Sequence, residues 1–189
     1  MSNDWILFLA GIVFLILYLI FSAKTEMGTK LFMKPSDRLN YQSDSQLAEI
    51  LDFLWISDQI ATSGQPTVDQ FRLIADAGYE VVINLALPTS DGAIANESEV
   101  VQMLGMEYVA IPVIWESPTV ENLNQFLLVM DSRQNNRIYV HCAKNMRVSA
   151  FIYIYRCLRL HCPKEQAIAD LHRIWQPNEI WQKFINDVT

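Results

Sequence analysis

The sequence predicts an α/β domain in which helices flank a mostly parallel central sheet. Short apolar runs rich in Val and Ile alternate along the chain with longer stretches whose apolar residues recur at helical spacing. Gly and Pro separate many of these segments, as is typical of the ends of strands and helices. The 189 residues, 51% of them hydrophobic, are enough to bury the core of one domain.

The first half of the domain supplies an opening hairpin or strand, two helices and a buried strand. The hairpin or strand is predicted over residues 54–64, LWISDQIATSG. Pro66 and Thr67 then lead a helix with a capping box from Thr67 to Gln70, and Gly78 ends this helix. The next segments are a buried strand, a polar loop and a helix, over residues 81–86, 88–96 and 97–104.

The second half continues the alternation and ends in helices. A strand is predicted over residues 107–113, and a helix starts at Ser117 and Pro118. A short strand over 137–141 follows. Three helices come last, over 148–160, from Pro163 and over 175–185. The helix over 148–160, VSAFIYIYRCLRL, is nearly all apolar, which predicts a buried position.

A membrane anchor is predicted before this domain. Residues 5–21, WILFLAGIVFLILYLIF, carry no charge, and at ~1.5 Å per residue they reach roughly 25 Å, near the lower limit for spanning a bilayer core. A secretory signal peptide and a buried core helix are the alternatives, but the start, MSND, has no Lys or Arg and Phe21-Ser22-Ala23 is a poor cleavage site. We therefore predict an anchor over 1–23, a polar tether over 24–48 and the folded domain over 49–189.

Charge and cysteine content restrict location and partners. Asp4 precedes the apolar span and four basic residues follow it, so the positive-inside rule places the domain in the cytoplasm of a single-pass protein. These basic residues are Lys24, Lys30, Lys34 and Arg38. Three cysteines without metal-ligand spacing predict free thiols in a reducing compartment, with no disulfide scaffold and no zinc site. A net charge of -7 argues against a nucleic-acid partner.

The stretch VHCAKNMRVSA, residues 140–150, lies where a predicted strand meets the buried helix. Ligands of α/β sheets bind beyond the carboxyl ends of strands, where helix N-termini offer free amides and partial positive charge. Cys142 in that place is predicted to act as a nucleophilic thiolate, and Arg147 to hold two phosphate oxygens. Ser149 is expected to donate to the leaving thiolate, and His141 either orients the loop or is a satisfied histidine at a strand end.

These residues resemble the signature of the cysteine-dependent protein tyrosine and dual-specificity phosphatases. Three upstream segments, residues 63–66, 82–85 and 105–113, are similar to the small bacterial phosphatase-like domain associated with beta-lactamase-fold hydrolases. The resemblance implies a phosphorylated protein or small phosphoester as substrate, a phosphocysteine intermediate, and neither metal nor cofactor. It also implies a phosphate-binding loop made of Ala143, Lys144, Asn145, Met146 and Arg147.

Two departures from the family's pattern leave alternatives open. Four residues, where the family has five, separate Cys142 from Arg147, and one position on a helix rotates a side chain by ~100°; Asn145 nevertheless suits the left-handed backbone that curves such a loop. The usual Asp general acid is absent from its place, so Glu116 is the candidate and Asp91 a second. Besides a membrane-anchored phosphatase facing the cytoplasm, the alternatives are a phosphate-binding pseudophosphatase and a rhodanese-like sulfurtransferase, whose chemistry does not need the Arg.

Overall fold

The computed structural model describes residues 45–189, so the predicted anchor over residues 5–21 lies outside the described residues, as does most of the predicted tether. Within 45–189, no helix is both long and apolar enough to cross a membrane. The elements, in chain order, are β1 (Leu54–Trp55), β2 (Ile60–Ser63), α1 (Val68–Asp76), β3 (Val81–Asn84), α2 (Glu97–Met103), β4 (Glu107–Ala110), α3 (Val120–Ser132), β5 (Ile138–His141), α4 (Met146–Leu158), α5 (Lys164–Ile174) and α6 (Glu179–Val188).

The strands form one sheet in the order β1-β2-β5-β3-β4. β1 is antiparallel to β2, which confirms the predicted opening hairpin, whereas the β2–β5, β5–β3 and β3–β4 pairs are parallel. The predicted α/β fold with flanking helices is therefore confirmed, and the sheet is mixed because of the short edge strand β1. Parallel neighbours need crossover connections, and helices in these connections cover both faces of the sheet.

Alternate residues of the strands point to opposite faces of the sheet and pack into two hydrophobic clusters. On β5, Ile138 and Val140 belong to the larger cluster, beneath α3 to α6, whereas Tyr139 belongs to the smaller cluster beneath α1 and α2. Leu47 and Ile50 are also buried in the smaller cluster. The packed domain therefore includes residues before the predicted boundary at 49.

Two helices follow closely from their local sequence. At the start of α1, the Thr67 hydroxyl accepts from the Gln70 N–H at 3.2 Å and the Gln70 side chain accepts from the Thr67 N–H at 2.9 Å. This is the predicted capping box, and it satisfies two backbone donors that a helix start leaves open. In α4, residues 147–156 are all buried, as the nearly all-apolar sequence predicts.

The structure corrects the predicted start of α3. The prediction placed this start at Ser117 and Pro118, whereas the helix begins at Val120. Thr119 is the N-cap, because its hydroxyl accepts a hydrogen bond from the Asn122 N–H at 3.2 Å. Residues 111–119 are thus an irregular segment that follows β4.

Candidate active site

β2, β3 and β5 end side by side at the carboxyl edge of the sheet. The register pairs His141, at the end of β5, with Ser63 at the end of β2 and with Asn84 at the end of β3. The loop after β5 begins with Cys142, and the loop after β3 starts beside it, since the Leu85 N–H donates to the His141 carbonyl at 2.9 Å. Cys142 thus lies beyond the carboxyl ends of the strands, as predicted.

The backbone after β5 is held against the segment that follows β2. The Gln65 N–H donates to the Ala143 carbonyl at 3.1 Å, and Gly64 forms a bridge with Lys144. A Cβ at position 64 would lie 2.9 Å from the Ala143 carbonyl oxygen. The two backbones approach this closely because residue 64 is glycine.

Asn145 sets the curvature of the loop before α4. Its φ is +54°, the left-handed conformation that the sequence predicts for it. Its side-chain amide donates to the Asp52 carbonyl at 2.6 Å and to the Thr62 hydroxyl at 3.0 Å. Asn145 makes no side-chain cap for α4, so the first amides of the helix can bind an anion.

Cys142 and Arg147 line one cavity of about 380 Å³ at the start of α4. The rest of its lining comes from Ala143, Lys144 and Met146 of the loop, from Trp115, and from residues 89–91. Both side chains are nearly buried, with Cys142 1% exposed and Arg147 8% exposed. Arg147 reaches the cysteine's cavity from its early position because the first turn of α4, which begins at Met146, faces this cavity.

The guanidinium of Arg147 is held by the loop after β3. Its Nη1 donates to the Leu85 carbonyl at 3.3 Å, and its Nη2 donates to the Ser90 hydroxyl at 3.3 Å. Its Nε is buried and has no hydrogen-bond partner among the described residues. Two long hydrogen bonds and one open donor suit a guanidinium that turns toward an oxyanion in the cavity.

The two predicted supporting residues take different places. His141 is fully buried and faces away from Cys142, with its Nε2 3.2 Å from Oε1 of Glu97. This contact lies away from the cysteine loop, and the His141 Nδ1 is buried without a hydrogen-bond partner among the described residues. The Ser149 hydroxyl donates to the Met146 carbonyl at 3.0 Å and accepts from the Trp175 indole at 3.1 Å, so it supports the start of α4 and does not contact Cys142.

Glu97 is a buried carboxylate that sequence analysis missed. It accepts hydrogen bonds from the side-chain N–H groups of Asn84 at 2.7 Å and Gln65 at 2.5 Å, and from the Tyr108 hydroxyl at 2.9 Å. Burial raises the pKa of its carboxyl, but the His141 hydrogen bond and charge, together with the other donors, hold that pKa below its ordinary value. Glu97 therefore joins the ends of β3 and β5 to β4 and to the segment after β2.

The two predicted proton donors occupy different positions. Glu116 is exposed and does not line the 380 Å³ cavity, although its neighbour Trp115 does, and its catalytic role stays a prediction. Asp91 lines the cavity from the loop after β3, beside Thr89 and Ser90, which sequence analysis did not identify. Ligands bind beyond the carboxyl ends of strands, and applying that rule to β3 as well as β5 would have pointed to this loop.

The structure is similar to those of known phosphatases. A candidate phosphatase (DUF442) from Shewanella putrefaciens CN-32 is 34% identical, with 76% of this chain and 95% of that chain covered and a TM-score of 0.70. Two further structures share the fold at lower identity. The core catalytic domain of the PP-IP phosphatase SIW14 from S. cerevisiae has 15% identity, coverage of 74% and 86%, and a TM-score of 0.63. P. aeruginosa TpbA in complex with pTyr has 13% identity, coverage of 65% and 72%, and a TM-score of 0.54.

Sequence comparisons confirm the predicted resemblance. Two beta-lactamase hydrolase-like proteins of Xylella fastidiosa are each 31% identical over 96 residues, which is 49% of this chain. The matched segment spans 22% of the length of those relatives. Residues 56–183 match the family described as DSP-PTPase phosphatase fused to NAD+ kinase. Because this match covers more than half of the chain and includes both Cys142 and Arg147, the chain belongs to this DSP-PTPase phosphatase family.

Proposed function

We propose that this protein is a cysteine-dependent phosphatase that hydrolyses a phosphomonoester through a phosphocysteine intermediate. The observation that carries the proposal is the cavity that Cys142 and Arg147 share at the start of α4. A buried thiol and a buried guanidinium in one cavity, beside open helix amides, suit the transfer of a phosphoryl group to sulfur. The phosphatase fold and family support this chemistry.

The first chemical step forms the phosphocysteine. The Cys142 thiolate attacks phosphorus, so that an Sγ–P bond forms while the bond to the leaving oxygen breaks and a proton donor protonates that oxygen. Arg147 and the amides of residues 143–147 bind the phosphoryl oxygens and stabilise the charge that develops on them. In the second step, water attacks phosphorus, the S–P bond breaks, and inorganic phosphate leaves with the thiolate restored.

The substrate that we propose is a phosphorylated protein or a small phosphoester. The similarly folded TpbA, which holds pTyr in its complex, supports the choice of a phosphoester. The anchor over residues 5–21 and a cytoplasm-facing domain are also part of the proposal, from the sequence alone. Cell fractionation tests the anchor: the full chain should pellet with membranes and residues 45–189 should not, and a full chain in the supernatant would contradict it.

A phosphate-binding pseudophosphatase is the second candidate. It is favoured by the hydrogen bonds that Arg147 already makes to Leu85 and Ser90, because an oxyanion must compete with both. Such a protein would bind a phosphorylated partner without releasing phosphate. A sulfurtransferase has less support, since its chemistry assigns no role to a buried Arg147 in the cavity.

The test is phosphate release from p-nitrophenyl phosphate by the full-length chain with its thiols reduced. Cys142→Ser should abolish turnover, and Arg147→Ala should lower kcat by about 100-fold or more, the effect of removing a charge-stabilising donor. Cys157→Ser is the matched control, since this free thiol lies near the far end of α4, and it should leave turnover unchanged. Vanadate binding without turnover, weakened by Arg147→Ala, would favour the pseudophosphatase. Sulfur transfer from thiosulfate to cyanide would favour the third reading.

A further inference from the structure

The segment after β4 brings an indole to the phosphate cavity, in the place where a carboxylate was predicted. Trp115 lines the cavity and packs against Trp175 and Trp181, with ring centroids 5.0 and 5.3 Å away. The Trp181 indole N–H also donates to the Trp115 carbonyl at 2.9 Å. Glu116 is exposed beside this fixed residue. On this side, the cavity is therefore lined by an indole and not by the neighbouring carboxylate.

Asp91 lies where the phosphate cavity meets a second groove. This groove measures about 460 Å³ and shares Asp91, Ala143 and Lys144 with the phosphate cavity. Its apolar wall is formed by Leu51, Pro66, Val68 and Ile94. Among the described residues, Asp91 is the carboxylic acid that lines both spaces.

Ser90 fixes the turn that carries Asp91. Its hydroxyl accepts from the Leu87 N–H at 3.1 Å and from Nη2 of Arg147 at 3.3 Å, and its carbonyl accepts from the Ala93 N–H at 3.1 Å. Gly92 follows with a φ of +74°, a left-handed conformation that glycine adopts without strain. Asp91 is therefore held at the cavity by a turn that also contacts the phosphate-binding arginine.

Building on the proposed function, we propose that Asp91 is the general acid and that the apolar groove holds the leaving group. In-line attack by Cys142 requires the ester oxygen on the side of phosphorus opposite Sγ. Asp91 lines both spaces, so it lies beside the ester oxygen of a leaving group that extends from the phosphate cavity into the groove.

Asp91 gives a proton in the first step and takes one back in the second. The Asp91 carboxylic acid gives its proton to the ester oxygen as the P–O bond breaks, so the leaving group departs as a neutral alcohol or phenol. The resulting carboxylate then takes a proton from the water that attacks the phosphocysteine. Because the groove has an apolar wall, we infer that the substrates are phosphomonoesters with an apolar, aryl-like leaving group.

The experiment compares two aryl esters with the full-length chain. Asp91→Asn should lower kcat/KM for phenyl phosphate by ~100-fold or more, the usual contribution of a general acid, and by less than about tenfold for p-nitrophenyl phosphate. The difference arises because nitrophenolate is a stable anion that leaves without a proton. Glu116→Gln tests the rival donor, and if Asp91 is the general acid it should change both values by less than about twofold. Both positions are exposed, so neither substitution removes core packing.

Equal losses on the two esters, or a selective loss in Glu116→Gln, would overturn the role of Asp91 and leave the phosphatase proposal standing. No turnover by the unmodified chain would overturn both. The groove has its own test in Val68→Thr, an uncharged change of similar shape, which should raise KM for phenyl phosphate about threefold through lost apolar contact. The inhibition constant of inorganic phosphate should stay unchanged in this variant. An unchanged KM for phenyl phosphate would remove the groove from the proposal.

Discussion

Replacing Glu97 by glutamine tests whether one buried carboxylate holds the carboxyl edge of the sheet together. The side chain is 4% exposed and accepts from Gln65, Asn84 and Tyr108, and its Oε1 lies 3.2 Å from Nε2 of His141. Glu97→Gln preserves the shape of the side chain but removes the charge, and it replaces one acceptor oxygen by an NH₂ group. The remaining oxygen can still accept from two or three of the former partners.

The expected cost follows from the bonds that change. A hydrogen bond to a charged group contributes ~1.5–3 kcal/mol, compared with ~1 kcal/mol for a neutral pair. In Glu97→Gln, the three side-chain donors lose the charge of their acceptor, and the NH₂ group meets the Gln65 nitrogen unless that amide also rotates. We therefore expect the free energy of unfolding to fall by about 2–4 kcal/mol at pH 7.

The assay is urea unfolding of both proteins at several pH values. The folded-state pKa of Glu97 lies below its ordinary value, so its contribution to stability is present above the unfolded pKa of ~4.3 and is lost as pH falls through the folded pKa. The difference between parent and Glu97→Gln should therefore shrink on acidification below about pH 4.

The matched control is Glu107→Gln, at an exposed carboxylate that pairs with Arg133. An exposed ion pair contributes little, so this variant should lose less than about 1 kcal/mol. If Glu97→Gln loses no more than Glu107→Gln, or if the difference from the parent grows on acidification, the reasoning about the buried carboxylate is refuted.

Three further predictions concern the phosphate-binding loop. Gly64→Ala should lower kcat/KM by about tenfold or more without loss of fold. The new Cβ would force the Ala143 carbonyl, 2.9 Å away, to move at a cost of ~1–3 kcal/mol. Unchanged kinetics would contradict this. Asn145→Ala should lower the free energy of unfolding by ~2–4 kcal/mol, since it loses two hydrogen bonds and places alanine at a φ of +54°. Asn145→Gly keeps the backbone conformation, so its free energy of unfolding, measured with urea, should fall less than that of Asn145→Ala. An equal fall would exclude backbone strain as a cause. Ser90→Ala should raise KM up to about fivefold, because it removes a hydrogen bond that orients Arg147, and an unchanged or lower KM would show that this bond competes with substrate.

Part of the site could be predicted because its determinants are local. The position of Cys142 between a strand and a helix follows from hydrophobic patterning on either side of it, and the left-handed backbone of Asn145 follows from the conformational range of that residue type. Arg147 was harder to place, because a helical rotation of ~100° per residue left its direction open until the start of α4 was known. The start at Met146 resolves it.

The contacts of Glu97 and Ser90 could not be predicted from local sequence. Glu97 is the first residue of α2, where an acidic side chain is ordinarily explained by the helix dipole at an exposed N-terminus. Its burial depends on partners that lie 11 to 44 positions away in the sequence, the nearest being Tyr108. Ser90 lies in a polar loop of ordinary composition, and its contact with Arg147 crosses 57 positions.

Local sequence was therefore sufficient for the order and type of the elements, the cysteine loop and the family, since caps, turns and periodicity act between residues a few positions apart. The strand order β1-β2-β5-β3-β4 was decided by the tertiary structure, because pairing between distant strands depends on how whole faces pack. That order sets β3 directly beside β5, and so brings the loop carrying Asp91 to the same cavity as Cys142. Which of the two predicted proton donors lies at the cavity could not be read from spacing, since both follow strands; in the structure Asp91 lines the cavity and Glu116 does not.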